Sequence, residues 1–283
     1  MTTADTPVAF AEACHPRSLG DGTFTATLRS EWSIGGHPHG GFIMALLART
    51  ATSVLSGHTE LGGDPLAVSA EFLRATELGP VLLRTELRKA GRRTTVVGVR
   101  LEQRGRSCVE AHVLLGRLPE QRATSAELPV LAAEPPANAI TLADHLGDGV
   151  FRLAQDCEVR IDASTAGFLT GKKGRPAGTA DPSSSLRMRL WARPRSADVD
   201  VYFALLAGDI NPPVPFNLGR KGWSPTVQMT SYLRTTPAPG WMRIQVDCEA
   251  VYGNWFDSSA TVLDSAGQLI CQSRQLAITP GPA

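Results

Sequence analysis

The sequence predicts an α+β fold in which an antiparallel sheet wraps a central helix, and predicts that this unit occurs twice. Three observations carry the reading. The run Phe42-Ile43-Met44-Ala45-Leu46-Leu47-Ala48, continuing through Arg49 to Leu55, has apolar residues on nearly every side, so a helix there is surrounded by protein. Four strand-like segments follow it, joined by links short enough to imply antiparallel neighbours. The second half of the chain then repeats the order of helix followed by strands.

In chain order, residues 23–32 have a strand pattern, and Gly35-Gly36-His37-Pro38-His39-Gly40-Gly41 forces a turn before the first helix. Strands are predicted at 65–74, 81–89, 94–103 and 107–117, separated by Glu77-Leu78-Gly79-Pro80, Gly91-Arg92-Arg93 and Arg104-Gly105-Arg106. Arg92-Arg93 reads as a solvated hairpin tip. From Pro119 to Asn138 the chain is rich in Pro, Ala and Glu with little periodicity, which marks a linker. The predicted organisation is therefore an N-terminal domain over 1–118, a linker over 119–149 and a C-terminal domain over 150–283. The second half offers strands at 151–162 and 186–191, a helix at 198–206, and strands at 226–234, 241–252, 257–263 and 269–278. The alternation across Arg243-Ile244-Gln245-Val246-Asp247-Cys248-Glu249-Ala250 puts one face on a core and the other toward solvent or a partner subunit.

The repeat is visible in residues as well as in order. Phe72-Leu73-Arg74-Ala75-Thr76 answers Tyr232-Leu233-Arg234-Thr235-Thr236 at an offset of 160, and 105–114 answers 267–276 at an offset of 162. Agreement of element order, turn position and offset points to duplication.

Composition narrows the function. The 283 residues include 28 basic and 27 acidic side chains, which nearly cancel, so no global field favours nucleic acid or an anionic membrane. The five cysteines, Cys14, Cys108, Cys157, Cys248 and Cys271, are odd in number and widely spaced with no Cys-x-x-Cys pair, which suits reduced thiols in a cytoplasmic protein rather than a metal or redox site. The first 13 residues lack a basic region followed by an apolar core, and no apolar stretch is long enough to cross a bilayer. Gly167-Phe168-Leu169-Thr170-Gly171-Lys172-Lys173-Gly174 has neither the glycine spacing nor the Ser or Thr of a phosphate loop; it reads as an exposed loop whose lysines could meet phosphates.

One stretch carries chemistry. In Leu205-Leu206-Ala207-Gly208-Asp209-Ile210-Asn211-Pro212-Pro213 an apolar run is interrupted by a carboxylate, and the Pro pair limits the helix. Taken alone it reads as turn chemistry, because Asp-x-Asn-Pro favours turns. The repeat gives it weight, since the first-half helix opens on His39-Gly40-Gly41 without a carboxylate.

With His39-Gly40-Gly41, Phe72-Leu73-Arg74, Gly208-Asp209, Pro225-Thr226 and Ser273-Arg274-Gln275 in this order, the chain resembles the TesB-like type II acyl-CoA thioesterases and their thioesterase-like relatives, which are double hotdogs. The resemblance covers nearly the whole chain. It implies two antiparallel sheets, each wrapped around a central helix, and an active site in the second hotdog. It also implies that Asp209, Thr226 and Gln275 form the catalytic trio, with no metal or cofactor, on an acyl-CoA substrate of fatty acid metabolism, in a homodimer or larger homo-oligomer. The family usually places an acidic residue and a histidine after the Thr. Here Val227, Gln228, Met229 and Thr230 follow Thr226, and Gln228 or Thr230 stands as an alternative facing the site. In chemical terms, a desolvated Asp is a better base, Thr and Gln can hold water in line, and backbone N–H groups at Gly40, Gly41 and Gly208 are candidate donors to the acyl oxygen.

Two rivals stand beside hydrolysis. Gly208-Asp209-Ile210-Asn211-Pro212 resembles the Gly-Asp-x-Asn-Pro segment of MaoC-like enoyl-CoA hydratases, but the position of their histidine is Val214, which moves no proton. His37 and His39 read as turn residues near a helix start rather than as catalytic groups. The other rival is a protein that binds an acyl-CoA or polyketide-acyl group without turnover. Acyl chain length, and CoA against acyl carrier protein as carrier, stay open.

Overall fold

A computed structural model describes residues 9–55, 63–146, 149–171 and 186–281. The first half contains α1 (Phe10–Ala13), β1 (Arg17–Gly20), β2 (Thr23–Leu28), β3 (Ser33–Ile34), β4 (His37–Pro38), α2 (Gly40–Val54), β5 (Asp64–Phe72), β6 (Gly79–Ala90), β7 (Thr95–Gln103) and β8 (Arg106–Gly116). The second contains β9 (Ile140–Thr141), β10 (Cys157–Ile161), α3 (Gly167–Thr170), β11 (Arg187–Pro194), α4 (Val201–Ala207), β12 (Thr226–Leu233), β13 (Met242–Asp247), β14 (Val251–Tyr252), β15 (Trp255–Leu263) and β16 (Leu269–Ile278).

The expectation of two sheets is corrected by the pairing of β5 with β12. Gln228 lies opposite Glu71 and Tyr232 opposite Ala67, so the strands form one 14-stranded antiparallel sheet, with β3 and β4 as a separate ribbon. Left apart, β5 and β12 would each present an edge of unpaired N–H and C=O groups, and pairing removes both edges. Outward from this seam the order is β5-β8-β7-β6 on one side and β12-β16-β15-β13 on the other, the same succession of elements in each half. The repeat extends to single bonds. Arg74 N donates to Cys108 O and Arg234 N to Ile270 O, while the turn glycines Gly105 and Gly267 both take the positive φ that favours glycine (73° and 79°).

Helix α2 is buried from Gly41 through Ala48, as its apolar surround predicts. It packs on α4 in antiparallel sense: its N-terminus meets Leu206 and Asp209, while Arg49 on its later turns bonds Asp200 at the start of α4 (Nη2 to Oδ2, 2.8 Å). Phe10 locks the pair, edge-on to Trp32, Phe42 and Phe203, with Trp32 stacked on Phe42 at 5.6 Å.

Parts of the predicted linker lie against the second half: Ala132 O accepts from Trp191 Nε1, Leu131 O accepts from Arg243, and β9 pairs with β10. The strand predicted at 151–162 is shorter, because 152–155 form a 3-10 turn. Lys172 and Lys173 lie outside the described residues. Among the described residues no helix is long and apolar enough to cross a membrane.

Candidate active site

The short helix α4 is capped at its start by Asp200, whose carboxylate accepts from Phe203 N (2.7 Å), and ends at Gly208. Ser273 on β16 donates to Gly208 O (2.5 Å) and pins this end to the sheet. A side chain at Gly208 would meet Ser273 Oγ at 3.1 Å, so glycine permits that approach. Asp209 follows immediately, with only 10% of its side chain exposed.

The carboxylate is received by the first half. His39 at the N-cap of α2 supplies no side-chain cap, and Asp209 does so across 168 residues, its Oδ2 accepting from Gly41 N at 2.7 Å. The positive end of a 15-residue helix therefore faces the anion. Both glycines are required by this approach. A Cβ on Gly40 would lie 2.7 Å from Asp209 Oδ2, and one on Gly41 would lie 2.9 Å from the Leu206 backbone.

Gln275 and Thr226 complete the cluster on the sheet side. Thr226 Oγ1 donates to Gln275 Oε1 at 2.6 Å, which leaves the Gln275 amide N–H groups for Asp209. Simple alternation back from Met229, which pairs with Gln275, would put Thr226 on the other face. A β-bulge between Thr226 and Gln228 turns it back, pairing Thr226 with Ala277 on the face of Gln275. Gln228 and Thr230 belong to the opposite face, where Gln228 Nε2 donates to Thr230 Oγ1 (3.0 Å) and Thr230 shares a hydrogen bond with Ser69 (2.8 Å) at the seam. Of the three alternatives, the structure brings Thr226 to Gln275.

Two features differ from the sequence reading. The first is His39, read there as a turn residue: it is buried, and its Nδ1 lies 4.0 Å from Asp209 Oδ2 with no hydrogen-bond partner among the described residues. Asp209 therefore does have a neighbouring histidine, contributed by the first half rather than by position 214, where Val214 is fully buried. The signal that could have found it is the pair of glycines after His39 at a helix start, which marks a close approach by another segment. The second concerns the glycine amides. Gly41 N–H is engaged by Asp209, and Gly208 N–H by Ala204 O (3.0 Å), which leaves Gly40 N–H without an acceptor among the described residues.

Burial raises the Asp209 carboxyl above its ordinary pKa, opposed by His39, the Gly41 N–H and Gln275, all of which favour the charged form. Burial lowers His39 below its ordinary pKa, with Asp209 acting in the other direction. The Cys14, Cys248 and Cys271 thiols are pushed up to about 12 by burial, which disqualifies them as thiolate nucleophiles.

The repeat shows why the first half carries no second such cluster among the described residues. Subtracting 160 places Asp209 on Arg49 and Thr226 on Leu66; subtracting 162 places Gln275 on Val113. Arg49 instead bonds Asp200 and Cys14 (Nε to Sγ, 3.1 Å) and lies 3.9 Å over the Tyr202 ring, closing the related position with an ion pair.

Comparison with known proteins accords with this two-part construction. The family model for the acyl-CoA thioesterase N-terminal domain matches residues 28–116, and that for the C-terminal domain matches 131–279. An uncharacterized protein of Mycobacterium tuberculosis H37Rv is 38% identical over 276 residues, covering 91% of each chain, and one from Mycobacterium bovis matches equally. Among solved structures, a Thermobifida fusca protein provisionally named thioesterase II superposes with a TM-score of 0.81 at 25% identity, covering 98% of this chain and 99% of that one. A hot dog fold protein of unknown function from Alicyclobacillus acidocaldarius shares the fold (TM-score 0.77, 19% identity, 98% and 100% coverage), as does an acyl-CoA thioesterase II of Mycobacterium marinum (0.70, 15%, 97% and 99%). Because the two matches together span most of the sequence, and the carboxylate sits where their two halves meet, the chain belongs to the acyl-CoA thioesterase family and is a thioester hydrolase.

Proposed function

We propose that this chain is a double hotdog whose two units share one continuous sheet, and that it hydrolyses acyl-CoA thioesters to free acid and CoA, using water activated by Asp209. The observation that carries the proposal is the buried Asp209 carboxylate held between the N-terminus of α2 and the Gln275–Thr226 pair. Water held by Asp209, Gln275 and Thr226 attacks the thioester carbon while Asp209 takes its proton. The carbonyl oxygen becomes an oxyanion, for which the uncommitted Gly40 N–H is the proposed donor. Collapse of the tetrahedral intermediate breaks the C–S bond, and the proton on Asp209 passes to the departing thiolate. His39, buried beside Asp209, has its charged form disfavoured by that burial. The test is release of free thiol across a panel of acyl-CoA chain lengths; binding without release at every length would overturn the proposal.

Two expectations follow for the rate. Thr226 orients Gln275 as well as the water, so Thr226→Ala is expected to lower kcat about tenfold, the loss of one aligned hydrogen bond, and Thr226→Ser to restore it. Asp209 must be ionised to accept a proton, and burial raises its pKa. The acid limb of kcat is therefore expected above the ordinary carboxylate range, with activity rising as pH increases through it.

His39 beside Asp209 favours a second reading, hydration of an enoyl-CoA by an Asp–His pair. Formation of hydroxyacyl-CoA without thiol release would establish it. We also propose a homo-oligomer formed through the outward face bearing Tyr252, Trp255, Leu276 and Ile278, residues that are 79%, 45%, 42% and 36% exposed. Sedimentation should show a dimer or larger species that Trp255→Glu dissociates; a monomeric parent chain would refute it.

A further inference from the structure

We infer that the loop 219–225, together with His37, is the binding surface for the carrier arm of the thioester: Trp223 and His37 against the pantetheine amides, Arg220 and Lys221 on the CoA phosphates. The inference rests on the acyl-CoA reading above and assigns a carrier-binding site to it.

His37 and Trp223 are in ring contact across the two halves, with centroids 4.3 Å apart and planes tilted by 40°. Each is tethered to the site by a short piece of chain, because His37 lies two residues before His39 and Trp223 three before Thr226. At roughly 3.5 Å per extended residue, the backbone under both rings lies within about 10 Å of the residues that surround Asp209. Trp223 remains 52% exposed despite this contact, so ring surface is left open to a flat, polar ligand. The acyl end of a substrate favours the apolar interior, whereas the carrier must leave toward solvent, which is the side a half-exposed ring occupies.

Two cations, Arg220 and Lys221, precede Trp223 in the same loop. Neither the Arg220 guanidinium nor the Lys221 ammonium has a hydrogen-bond or ion-pair partner among the described residues; only their backbone N–H groups are used, on Pro215 O (3.3 Å) and Gly281 O (3.3 Å). Most arginines in the sheet, by contrast, are paired with carboxylates, for example Arg84 with Glu102, Arg100 with Glu110 and Arg193 with Glu158. The flanking Gly219 and Gly222 hold positive φ (82° and 110°), which fixes the loop's path in a conformation that glycine favours. A chain of net charge +1 has no broad field to attract an anion, so a phosphate-bearing ligand must be met by local, uncommitted cations.

One acyl group presented on CoA, on pantetheine and on N-acetylcysteamine separates the parts. Trp223→Ala is expected to raise KM about tenfold for the CoA and pantetheine thioesters, with kcat unaffected and a smaller rise for the N-acetylcysteamine thioester, which keeps only the first of the two pantetheine amides. The double variant Arg220→Ala/Lys221→Ala is expected to raise KM about tenfold for acyl-CoA alone and to flatten the salt dependence of kcat/KM. Equal losses on all three carriers, or no change on any, would overturn the inference, and equal losses of the double variant on CoA and pantetheine would overturn the phosphate assignment. Calorimetric titration with CoA reads the same surface without turnover: about tenfold weaker binding in either variant supports the inference, and unchanged binding contradicts it. If the unmodified chain hydrolyses none of the three thioesters, thioester hydrolysis fails as the reading while this titration still decides the loop.

Discussion

Asp209→Asn is expected to lower kcat by about 10²–10⁴-fold, the usual range for removing a general base, while leaving the folded chain at least as stable at neutral pH. The two outcomes have one cause. The carboxylate lies at the C-terminal end of α4 with little water, and its pKa is raised mainly by burial. A group whose pKa is higher in the folded chain binds its proton more readily there. Stability is therefore lost as pH rises through the raised pKa and is fully retained below the unfolded value. Above that window the ionised Asp209 costs the fold free energy, a cost the neutral amide avoids while its Oδ1 still accepts from Gly41 N. Thermal unfolding at several pH values checks this. The variant's advantage should shrink toward low pH, and a large destabilisation at neutral pH would mean that the carboxylate is chiefly structural.

Gly41→Ala has the second largest expected effect, and here stability and activity fall together. The added Cβ would stand 2.9 Å from both Leu206 Cα and Leu206 O and 3.0 Å from Asp209 Cβ. The nearest atoms are backbone, so no side chain can swing away and the α2–α4 contact must widen. Overpacking of this kind costs about 1–3 kcal/mol, read as a lower urea midpoint. The same displacement lengthens the bond from Gly41 N to Asp209, so kcat should fall by more than the loss of folded protein explains. Gly40→Ala is the useful contrast, because its Cβ would press on the Asp209 carboxylate itself at 2.7 Å, which disturbs activity more than folding.

Much of this was legible in the sequence, for identifiable reasons. The helix at 40–54 and the strands of the meander announce themselves through local apolar periodicity and turn glycines, both properties of short windows. The duplication was readable because Arg74 and Arg234 make equivalent bonds in their two copies. The continuous sheet was not, since the β5–β12 pairing joins residues about 160 apart whose facing side chains, Ser69 and Thr230, carry no local signature. Asp209, Thr226 and Gln275 were singled out by resemblance, but the feature that lets Thr226 reach Gln275 is a bulge, which alternation alone does not reveal. His39 was passed over for a similar reason. Its relation to Asp209 exists only because one helix's N-terminus packs on another's C-terminal end, and a reading that assigned the chemistry to the second half could not place a first-half residue there.

Hydrolysis by water held on Asp209 is tested most directly by a single turnover of acyl-CoA in 18O-labelled water, with enzyme in excess. The released acid is expected to carry one labelled oxygen, and the peptide containing Asp209 to carry none. Label in Asp209 together with an unlabelled acid in that first turnover would show that the carboxylate attacks the thioester itself and would contradict the mechanism.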